Sequence, residues 1–326
     1  TAIEWAEPNV KATEWKEWKT LENMILRKNV LILGASGMLG IEVVRELIKK
    51  KNINLHIAIR SLKDKKLIQK YLNCDISGIK FYKFKIEGNY QANLKKIIKN
   101  KKYIVNCIGI IKPYINEENH LSIENALQIN SNFPHVLKNC VTKKVKIFQI
   151  ATDCVYDGVK GKYNENESHN ATDVYGKSKS LGEVSAKNFF NLRCSIIGKE
   201  IKSYKSLLCW FLNQKKDAKI FGFRNHLWNG ITTKHFAKII AVLILKEIKI
   251  PNLLHIIPGD IVNKYELLKI FQNKFQRHDL EISKTNANVI VNRTLVTNHK
   301  DINKKINKAM GFKNVLTVKN MVNEII

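Results

Sequence analysis

The sequence lacks the paired motifs with which proteins usually hold metal ions. Its 326 residues include six cysteines and nine histidines, but no Cys-x-x-Cys pair and no His-Glu-x-x-His arrangement. The cysteines are scattered along the chain, at Cys74, Cys107, Cys140, Cys154, Cys194 and Cys209. This dispersal argues against a metal cluster and a disulfide framework, so we predict reduced thiols and no metal site.

Long hydrophobic runs are also missing. Hydrophobic residues make up 44% of the chain, enough for a substantial core. No apolar stretch, however, approaches the roughly 20 residues of a membrane span. The N-terminal segment is polar and carries glutamates, unlike a signal peptide. We therefore expect a cytoplasmic protein that has no membrane partner.

Acidic residues are scarce. Asp and Glu number 28 against 56 Lys and Arg, which gives a net charge of +28. Such a charge can indicate nucleic-acid binding. The lysines are spread along the whole chain among many Asn and Ile residues, without a stripe of basic and aromatic side chains. We therefore predict no nucleic-acid partner, and note that a basic surface also attracts anionic nucleotides.

Three glycines form an informative motif. The run Val30–Leu33 is typical of a buried parallel strand, and it is followed at once by Gly34-Ala-Ser-Gly37-Met-Leu-Gly40. From position 38 onwards, apolar residues recur at helical spacing. A glycine turn between a strand and a helix directs backbone N–H groups and the helix dipole at a phosphate. The motif, a variant of the common Gly-x-Gly-x-x-Gly, therefore predicts a dinucleotide cofactor.

The end of the second predicted strand, 55–59, favours one cofactor over another. A dinucleotide fold often has Asp or Glu near this point, where it holds the ribose 2′-hydroxyl. Here Arg60 takes that place and is followed by Ser61 and Lys63. Because a cation and a hydroxyl suit a 2′-phosphate, we predict NADP(H), with NAD(H) as the less favoured alternative.

Strand and helix candidates alternate through the first two thirds of the chain. The strands are expected near 79–86, 103–108, 145–150 and 189–192, with one long helix over about 123–141. Such alternation predicts an α/β fold, a doubly wound parallel (Rossmann) sheet with helices on both faces. Its ligand should lie at the carboxyl ends of the strands.

Beyond residue 198 the alternation relaxes, and we expect a smaller C-terminal substrate-binding lobe. The predicted organisation has three parts: an N-terminal extension or fusion remnant over 1–27, an NADP-binding Rossmann domain over 28–198, and a mainly substrate-binding lobe over 199–326. Part of that lobe, about 231–259, is expected to return to the Rossmann sheet.

A second motif supplies candidate catalytic residues. Tyr175 and Lys179 are four residues apart in a predicted helix, so they share one face. A phenol has a pKa of about 10, and a neighbouring ammonium and an oxidised nicotinamide both favour the phenolate. Tyr175 could then act as acid or base near neutral pH. Thr152, which follows the strand 145–150, can hydrogen-bond the same substrate oxygen.

Several further stretches of the chain carry recognisable sequence motifs. They are Asn106-Cys-Ile-Gly109, Ile129-Asn130-Ser-Asn-Phe-Pro-His135, Ala151-Thr-Asp-Cys-Val-Tyr-Asp-Gly158, Tyr163-x-Glu165, Val174-Tyr-Gly-Lys-Ser-Lys-x-Leu-Gly-Glu183 and Leu192-Arg-x-Ser195. Together with the glycine turn they resemble the extended short-chain dehydrogenase/reductase superfamily, and within it the dTDP-4-dehydrorhamnose reductase family of sugar-nucleotide reductases. The resemblance covers roughly residues 29–260.

The resemblance implies a role for each matching position. The catalytic residues are Thr152, Tyr175 and Lys179. The residues implied in cofactor binding, besides Tyr175 and Lys179, are Gly34, Ser36, Gly37, Met38, Leu39, Arg60, Asn106, Cys107, Gly109, Ala151, Cys194 and Ser195. The residues implied in substrate binding, besides Thr152, are Asp153, Arg224, His226, Trp228 and Asn229. The adenine contact stays open, because Phe84-Lys85-Ile86 replaces the Gly-Asp-Leu found in the family.

The implied activity is NADPH-dependent reduction of the 4-keto group of a nucleoside-diphosphate 4-keto-6-deoxyhexose, for the sugars of cell-surface polysaccharides. Related 4,6-dehydratases have Asp-Glu directly after the catalytic Thr, whereas this chain has Asp153-Cys154, so dehydration is disfavoured. Two alternatives remain, a sugar-nucleotide epimerase of the same superfamily and a non-catalytic NADP-binding regulatory subunit. A nucleotide sugar is the expected partner, and a homodimer is left open.

Overall fold

The main sheet places the carboxyl ends of its strands along one edge. The computed structural model describes residues 27–202 and 204–325. The strands of the main sheet are Lys28–Leu33 (β1), Ile53–Ile59 (β2), Lys80–Lys83 (β3), Tyr103–Asn106 (β4), Lys146–Thr152 (β5), Phe189–Cys194 (β6) and Leu253–His255 (β7). They are parallel, in the spatial order β7-β6-β5-β4-β1-β2-β3. The predicted doubly wound Rossmann sheet is confirmed.

Strand β1 shows why this part of the sequence is apolar without interruption. Its side chains point alternately to the two faces of the sheet, and both faces are covered. Val30 and Ile32 belong to one buried cluster, with the helices Met38–Leu47 and Thr233–Leu245. Leu31 and Leu33 belong to the cluster on the other face. A fully buried strand of this kind fixes the position of the glycine turn that follows it.

The helices of the described residues cover the sheet and build the second lobe. In chain order they are Met38–Leu47, Leu62–Leu72, Gln91–Ile98, His120–Ala126, Phe133–Cys140, Val174–Leu181, Leu207–Leu212, Thr233–Leu245, Lys264–Lys274, Lys300–Ala309 and Val318–Asn323. Short 3-10 turns occupy Lys112–Tyr114 and Asp153–Val155.

The single helix expected over about 123–141 is interrupted. Between His120–Ala126 and Phe133–Cys140 the backbone takes up a π-helical turn, Leu127–Asn132. Such a turn accommodates one more residue than an α-helical turn and often marks a functional site. Here it carries the buried Asn130, whose side-chain amide bonds the backbone of Ile110 in both directions. Hydrophobic periodicity could not predict this local change.

The smaller lobe has its own core. Its short strands pair as Lys219–Phe223 with Glu281–Thr285, and as His226–Trp228 with both Val262–Asn263 and Val291–Asn292. Ile196–Ile197 and Ile231–Thr232 form a further pair. β7 lies inside the predicted returning segment 231–259, but the domain boundaries themselves stay predictions. The predicted extension lies outside the described residues, apart from Arg27.

Candidate active site

The glycine turn has the geometry of a phosphate cradle. Gly34 has φ +79°, and a Cβ built on it would lie 2.9 Å from the backbone carbon of Cys107. A Cβ on Gly40 would lie 2.2 Å from the Gly34 oxygen. Gly37, which donates to the Gly34 oxygen at 3.1 Å, is the N-cap of the Met38–Leu47 helix and supplies no capping side chain. The helix N–H groups at this end therefore remain available to an anion, as a cofactor pyrophosphate requires.

A group of polar side chains lies next to this turn. It contains the predicted Arg60 and Ser36, together with Asp64 and Lys202, which were not predicted from the sequence. Arg60 is exposed at the end of β2, and Ser36 is buried. Lys202 donates from its Nζ to Ser36 Oγ and to Asp64 Oδ1, both at 2.9 Å. Burial alone would raise the pKa of Asp64, but the hydrogen bond and charge of Lys202 hold it below its usual value. Lys202 is 166 positions from Ser36, so no local pattern could have indicated it.

The predicted ribose-side residues follow β4. Asn106 is buried and donates to Gln149 Oε1 at 2.9 Å, while its own oxygen accepts from the Ile108 N–H. Burial raises the pKa of the Cys107 thiol to about 12, so this thiol stays neutral. A Cβ on Gly109 would lie 3.9 Å from Lys179 Nζ. The strand end therefore passes directly beside the catalytic lysine.

The three predicted catalytic residues come together at the end of β5. Thr152 is the last residue of this strand, and its hydroxyl accepts from the Cys154 N–H at 3.2 Å and donates to Asp153 Oδ1 at 3.3 Å. Tyr175 and Lys179 lie on the Val174–Leu181 helix, which is capped at its start by Asp173. The ring of Tyr175 is half-buried, and Ala151 is buried in β5 beside the site.

Burial governs the protonation of this group. It raises the pKa of Tyr175 well above its usual value, and the hydrogen bond with Thr152 opposes that shift only in part. The phenol is therefore protonated at neutral pH in this structure, instead of having the lowered pKa that the sequence suggested. Burial also lowers the pKa of Lys179 to about 8, and Lys179 Nζ donates to the Ile150 oxygen at 3.0 Å.

Asn130 links the Val174–Leu181 helix to the segment after β4, and no role was predicted for it from the sequence. Its amide nitrogen donates to Ser178 Oγ at 3.0 Å as well as to the Ile110 oxygen. A Cβ on Gly182 would lie 1.9 Å from the backbone oxygen of Asn130, so only glycine permits this approach. The π-helical turn thus locks the helix that carries Tyr175 and Lys179.

A second device that positions this helix is a buried arginine in β6. Arg193 is fully buried and pairs with Glu183, donating from Nε to Oε1 at 3.0 Å. It also donates to Tyr156 Oη and to the Nε2 atoms of His169 and His255, at 2.6, 2.6 and 2.8 Å. Because Arg193 always donates, both histidines accept at Nε2 and are neutral in this arrangement. The cluster fastens the segment after the catalytic helix to β6 and β7.

The candidates for the nicotinamide side and for the substrate side differ in burial and in hydrogen-bond partners. Cys194 is buried. Ser195 Oγ accepts from Trp228 Nε1 at 2.8 Å, so Ser195 of the nicotinamide side contacts Trp228 of the substrate side. Asn229 is occupied by the backbone of Leu295, to which it donates at 2.7 Å and from which it accepts at 2.9 Å. His226 contacts the Val289 oxygen through Nε2 at 2.9 Å. Arg224 is exposed.

Asp153 faces two cations that come from the smaller lobe. Burial raises the pKa of its carboxyl, and the charges of Arg293 and Lys264 oppose this shift. Arg293 is held by the backbone oxygens of Tyr156 and Asp157, at 2.9 and 3.1 Å. Neither cation was singled out from the sequence, because both belong to the less regular C-terminal third.

Over the described ranges, 27–202 and 204–325, no group of three or more His, Cys, Asp or Glu is placed to hold a metal ion. Within the same ranges no helix has both the length and the apolar character needed to cross a membrane.

Comparisons with known proteins identify the family and the fold of the chain. The family model described as the RmlD substrate binding domain matches residues 28–294. No curated protein matches the chain. A dTDP-4-dehydrorhamnose reductase of Bacillus anthracis in complex with NADP is 15% identical, with 92% of this chain and 98% of that chain covered and a TM-score of 0.64.

Two other solved structures have different activities. The dTDP-glucose 4,6-dehydratase of Bacillus anthracis in complex with NAD is 17% identical, covers 91% of this chain and 94% of its own, and has a TM-score of 0.67. The UDP-glucuronic acid 4-epimerase of Bacillus cereus in complex with NAD is 15% identical, with coverages of 90% and 94% and a TM-score of 0.67. At these identities the likeness shows the fold alone, and enzymes of three activities share it.

The family model spans most of the chain and includes the glycine turn, Thr152, Tyr175 and Lys179. The chain therefore belongs to the RmlD substrate-binding-domain family of extended short-chain dehydrogenases/reductases, which are NAD(P)-dependent sugar-nucleotide enzymes.

Proposed function

We propose that the protein reduces the 4-keto group of a nucleoside-diphosphate 4-keto-6-deoxyhexose with NADPH. The observation that carries the proposal is the meeting of Thr152, Tyr175 and Lys179 at the end of β5, with a neutral thiol at Cys154 beside them. The set supplies a proton donor and lacks the acid/base group that the elimination of water needs.

The residues around the glycine turn support a phosphorylated dinucleotide. When bound, NADPH supplies the hydride. The helix N-terminus after Gly37 would hold its pyrophosphate, and Arg60, next to Ser61, would face the 2′-phosphate. The comparison structures hold either NADP or NAD, so the preference rests on Arg60.

Proton transfer is the task of Tyr175. Its pKa is raised by burial, so the phenol begins the reaction protonated, as a donor to the carbonyl oxygen must. Thr152 would donate to the same oxygen once it turns away from Asp153. At neutral pH most of the Lys179 side chains carry the charge that stabilises the phenolate formed by the transfer, since the pKa of Lys179 is about 8.

Dehydration and epimerisation are less well supported. Burial, with the charge of Asp153, raises the pKa of Cys154 to about 12, so its thiol cannot exchange protons as a glutamate would. An epimerase retains a tightly held NAD, which Arg60 does not favour. A regulatory subunit would have no need of the proton donor at Tyr175.

The decisive experiment follows NADPH absorbance with a panel of 4-keto-6-deoxy sugar nucleotides that differ in base and stereochemistry. We expect steady consumption with at least one member and none with a Tyr175→Phe variant. Binding of NADPH without turnover across the panel would favour a regulatory subunit. Conversion of the sugar without net NADPH loss would favour an epimerase. Simple ketones reduced as fast as the sugar nucleotides would remove the nucleotide sugar from the proposal.

A further inference from the structure

One cation of the smaller lobe, Lys264, rests against an aromatic ring near the predicted catalytic residues. Lys264 is the first residue of the Lys264–Lys274 helix, and its side chain is half-buried. In the part of the chain that the structure describes, its ammonium forms neither a hydrogen bond nor an ion pair. Burial lowers the pKa of Lys264, and the charge of Asp153 opposes this shift only in part. A partly desolvated ammonium of this kind is costly unless a ligand satisfies it.

The position of Lys264 is fixed by the segment before it. Asn263 caps the helix through a reciprocal pair of hydrogen bonds with Glu266, each 2.9 Å long. Val262 and Asn263 pair with the His226–Trp228 strand. The start of the helix therefore has little freedom, and the lysine stem leaves it in a defined direction.

Trp228 is the surface on which the ammonium rests. Lys264 Nζ lies 5.4 Å from the centre of a Trp228 ring, within the range of a cation–π contact. The indole is itself immobile, because Nε1 donates to Ser195 Oγ at 2.8 Å and a Cβ on Gly230 would lie 2.3 Å from the ring. Trp228 thus contacts both Lys264 and Ser195, and Ser195 directly follows β6.

Asp153 is the acidic group whose charge acts on this ammonium. The carboxylate and the ammonium act on each other's pKa, but they form no ion pair among the described residues. Asp153 is also hydrogen-bonded to the catalytic Thr152. Thr152 pairs with Cys194, whose neighbour Ser195 bonds Trp228. The donor Lys264 and the acceptor Asp153 therefore both lie near Thr152. A donor and an acceptor match the hydroxyl groups of an uncharged sugar, whereas a sugar carboxylate would be repelled by Asp153.

We propose that Lys264 recognises the sugar: its ammonium donates hydrogen bonds to hydroxyl oxygens of the hexose whose carbonyl is held by Thr152 and Tyr175, while Asp153 accepts from another hydroxyl. This inference rests on the proposed function, and it adds that the lobe reads a neutral hydroxylated ring through Lys264. Lys264 then determines sugar affinity and takes no part in proton transfer.

The test measures binding by calorimetry to the protein saturated with NADP⁺. The probes are dTDP-glucose, compared with free dTDP, and UDP-glucose, compared with free UDP. UDP-glucuronate is a third probe, which is compared with UDP-glucose. Lys264→Met keeps the apolar stem and removes the donor, Lys264→Arg keeps a donor, and the exposed Lys305→Met is a matched charge control. For the parent we expect the sugar to add affinity beyond that of the nucleotide.

Lys264→Met should weaken binding of the nucleotide sugar on the order of tenfold, the worth of one charged hydrogen bond, and leave binding of dTDP and UDP unchanged. Lys264→Arg should recover part of the loss, and Lys305→Met should match the parent. In turnover, KM should rise in Lys264→Met while kcat is retained.

The outcomes separate this inference from the proposed function. If the parent gains no affinity from the sugar of either probe, the inference is wrong, and the proposed function is judged separately by NADPH consumption across the panel of keto sugars. If the parent gains affinity and Lys264→Met binds the nucleotide sugars equally well, the inference is wrong and the proposed function stands. Equal weakening of the free nucleotides would also overturn it, as would tighter binding of UDP-glucuronate than of UDP-glucose that depends on Lys264.

Discussion

The two sides of the cleft are built from different kinds of contact. On the cofactor side the main chain forms the site, since Gly34 and Gly40 allow backbone segments to approach within distances that no side chain would tolerate. On the substrate side, side chains join segments far apart in sequence. Asn229, for example, bonds Leu295, 66 positions away. Backbone geometry leaves a dense local pattern in the sequence, whereas long-range side-chain contacts leave almost none.

The largest expected effect is the loss of kcat on substitution of Tyr175, which lies at the boundary between these two sides. Tyr175→Phe keeps the ring and removes the proton donor, so kcat should fall on the order of 10²–10⁴-fold. Cofactor affinity should stay close to that of the parent, because the ring of Tyr175 remains and the glycine turn is unchanged. Stopped-flow turnover and NADPH fluorescence titration measure the two quantities. A variant with near-parental kcat would exclude Tyr175 as the proton donor.

The comparison explains which parts could be predicted from the sequence. β1, the glycine turn and the spacing of Tyr175 and Lys179 are local patterns. They were enough to predict the Rossmann sheet, and they made Tyr175 the candidate proton donor. Lys202 and Lys264 are single lysines in a chain with 56 basic residues, so nothing in the sequence distinguishes them from surface cations. Only the fold brings the first to Ser36 and the second to Trp228.

The pKa of Tyr175 was mispredicted for a related reason. Its four-residue spacing from Lys179 indicates a shared helix face, but it carries no information on burial. In the folded chain, burial has the larger effect and raises the pKa. Asn130 shows the same limit, because its π-helical turn depends on the backbone of Ile110 and on the absence of a side chain at Gly182.

The next prediction concerns the free energy of unfolding at acid pH and the buried arginine cluster that joins β6 and β7. Burial and the charge of Arg193 lower the pKa of His255 to about 4 in the folded state, whereas its unfolded value is about 6.5. A depressed pKa stabilises the fold above the unfolded value, and this contribution is lost as the pH falls from about 6.5 towards 4. Between pH 7.5 and pH 5 the loss from His255 alone should be about 2 kcal/mol.

Urea denaturation at the two pH values measures this loss. His255→Gln retains a donor for the Val296 oxygen and an acceptor for Arg193 but cannot take up a proton, so its free energy of unfolding should depend less on pH. The exposed His120→Gln is the control and should behave as the parent. A His255→Gln variant with the full pH dependence would show that His255 does not titrate in this range.

A smaller effect sharpens the cofactor side, where one side chain is expected to matter. Arg60→Asp should lower the ratio of NADPH affinity to NADH affinity on the order of tenfold, because a charged contact with the 2′-phosphate is lost. Lys66→Asp makes the same charge change at an exposed position on the Leu62–Leu72 helix and should leave the ratio nearly unaltered. Equal affinities of the parent for both cofactors would refute the NADPH preference.

The smallest expected effect lies on the substrate side, at Arg224. Its side chain is exposed, just after the Lys219–Phe223 strand, so a contact with the substrate diphosphate would remain screened by solvent. Arg224→Ala should therefore raise KM only about threefold to tenfold and change kcat less, as expected when ground-state binding is lost. The effect should shrink as the salt concentration rises, whereas that of Lys264→Met should persist because Lys264 is partly buried. If Arg224→Ala lowered kcat and left KM unchanged, Arg224 would act in the reaction itself, and the substrate side would extend further into the catalytic centre than its exposed position indicates.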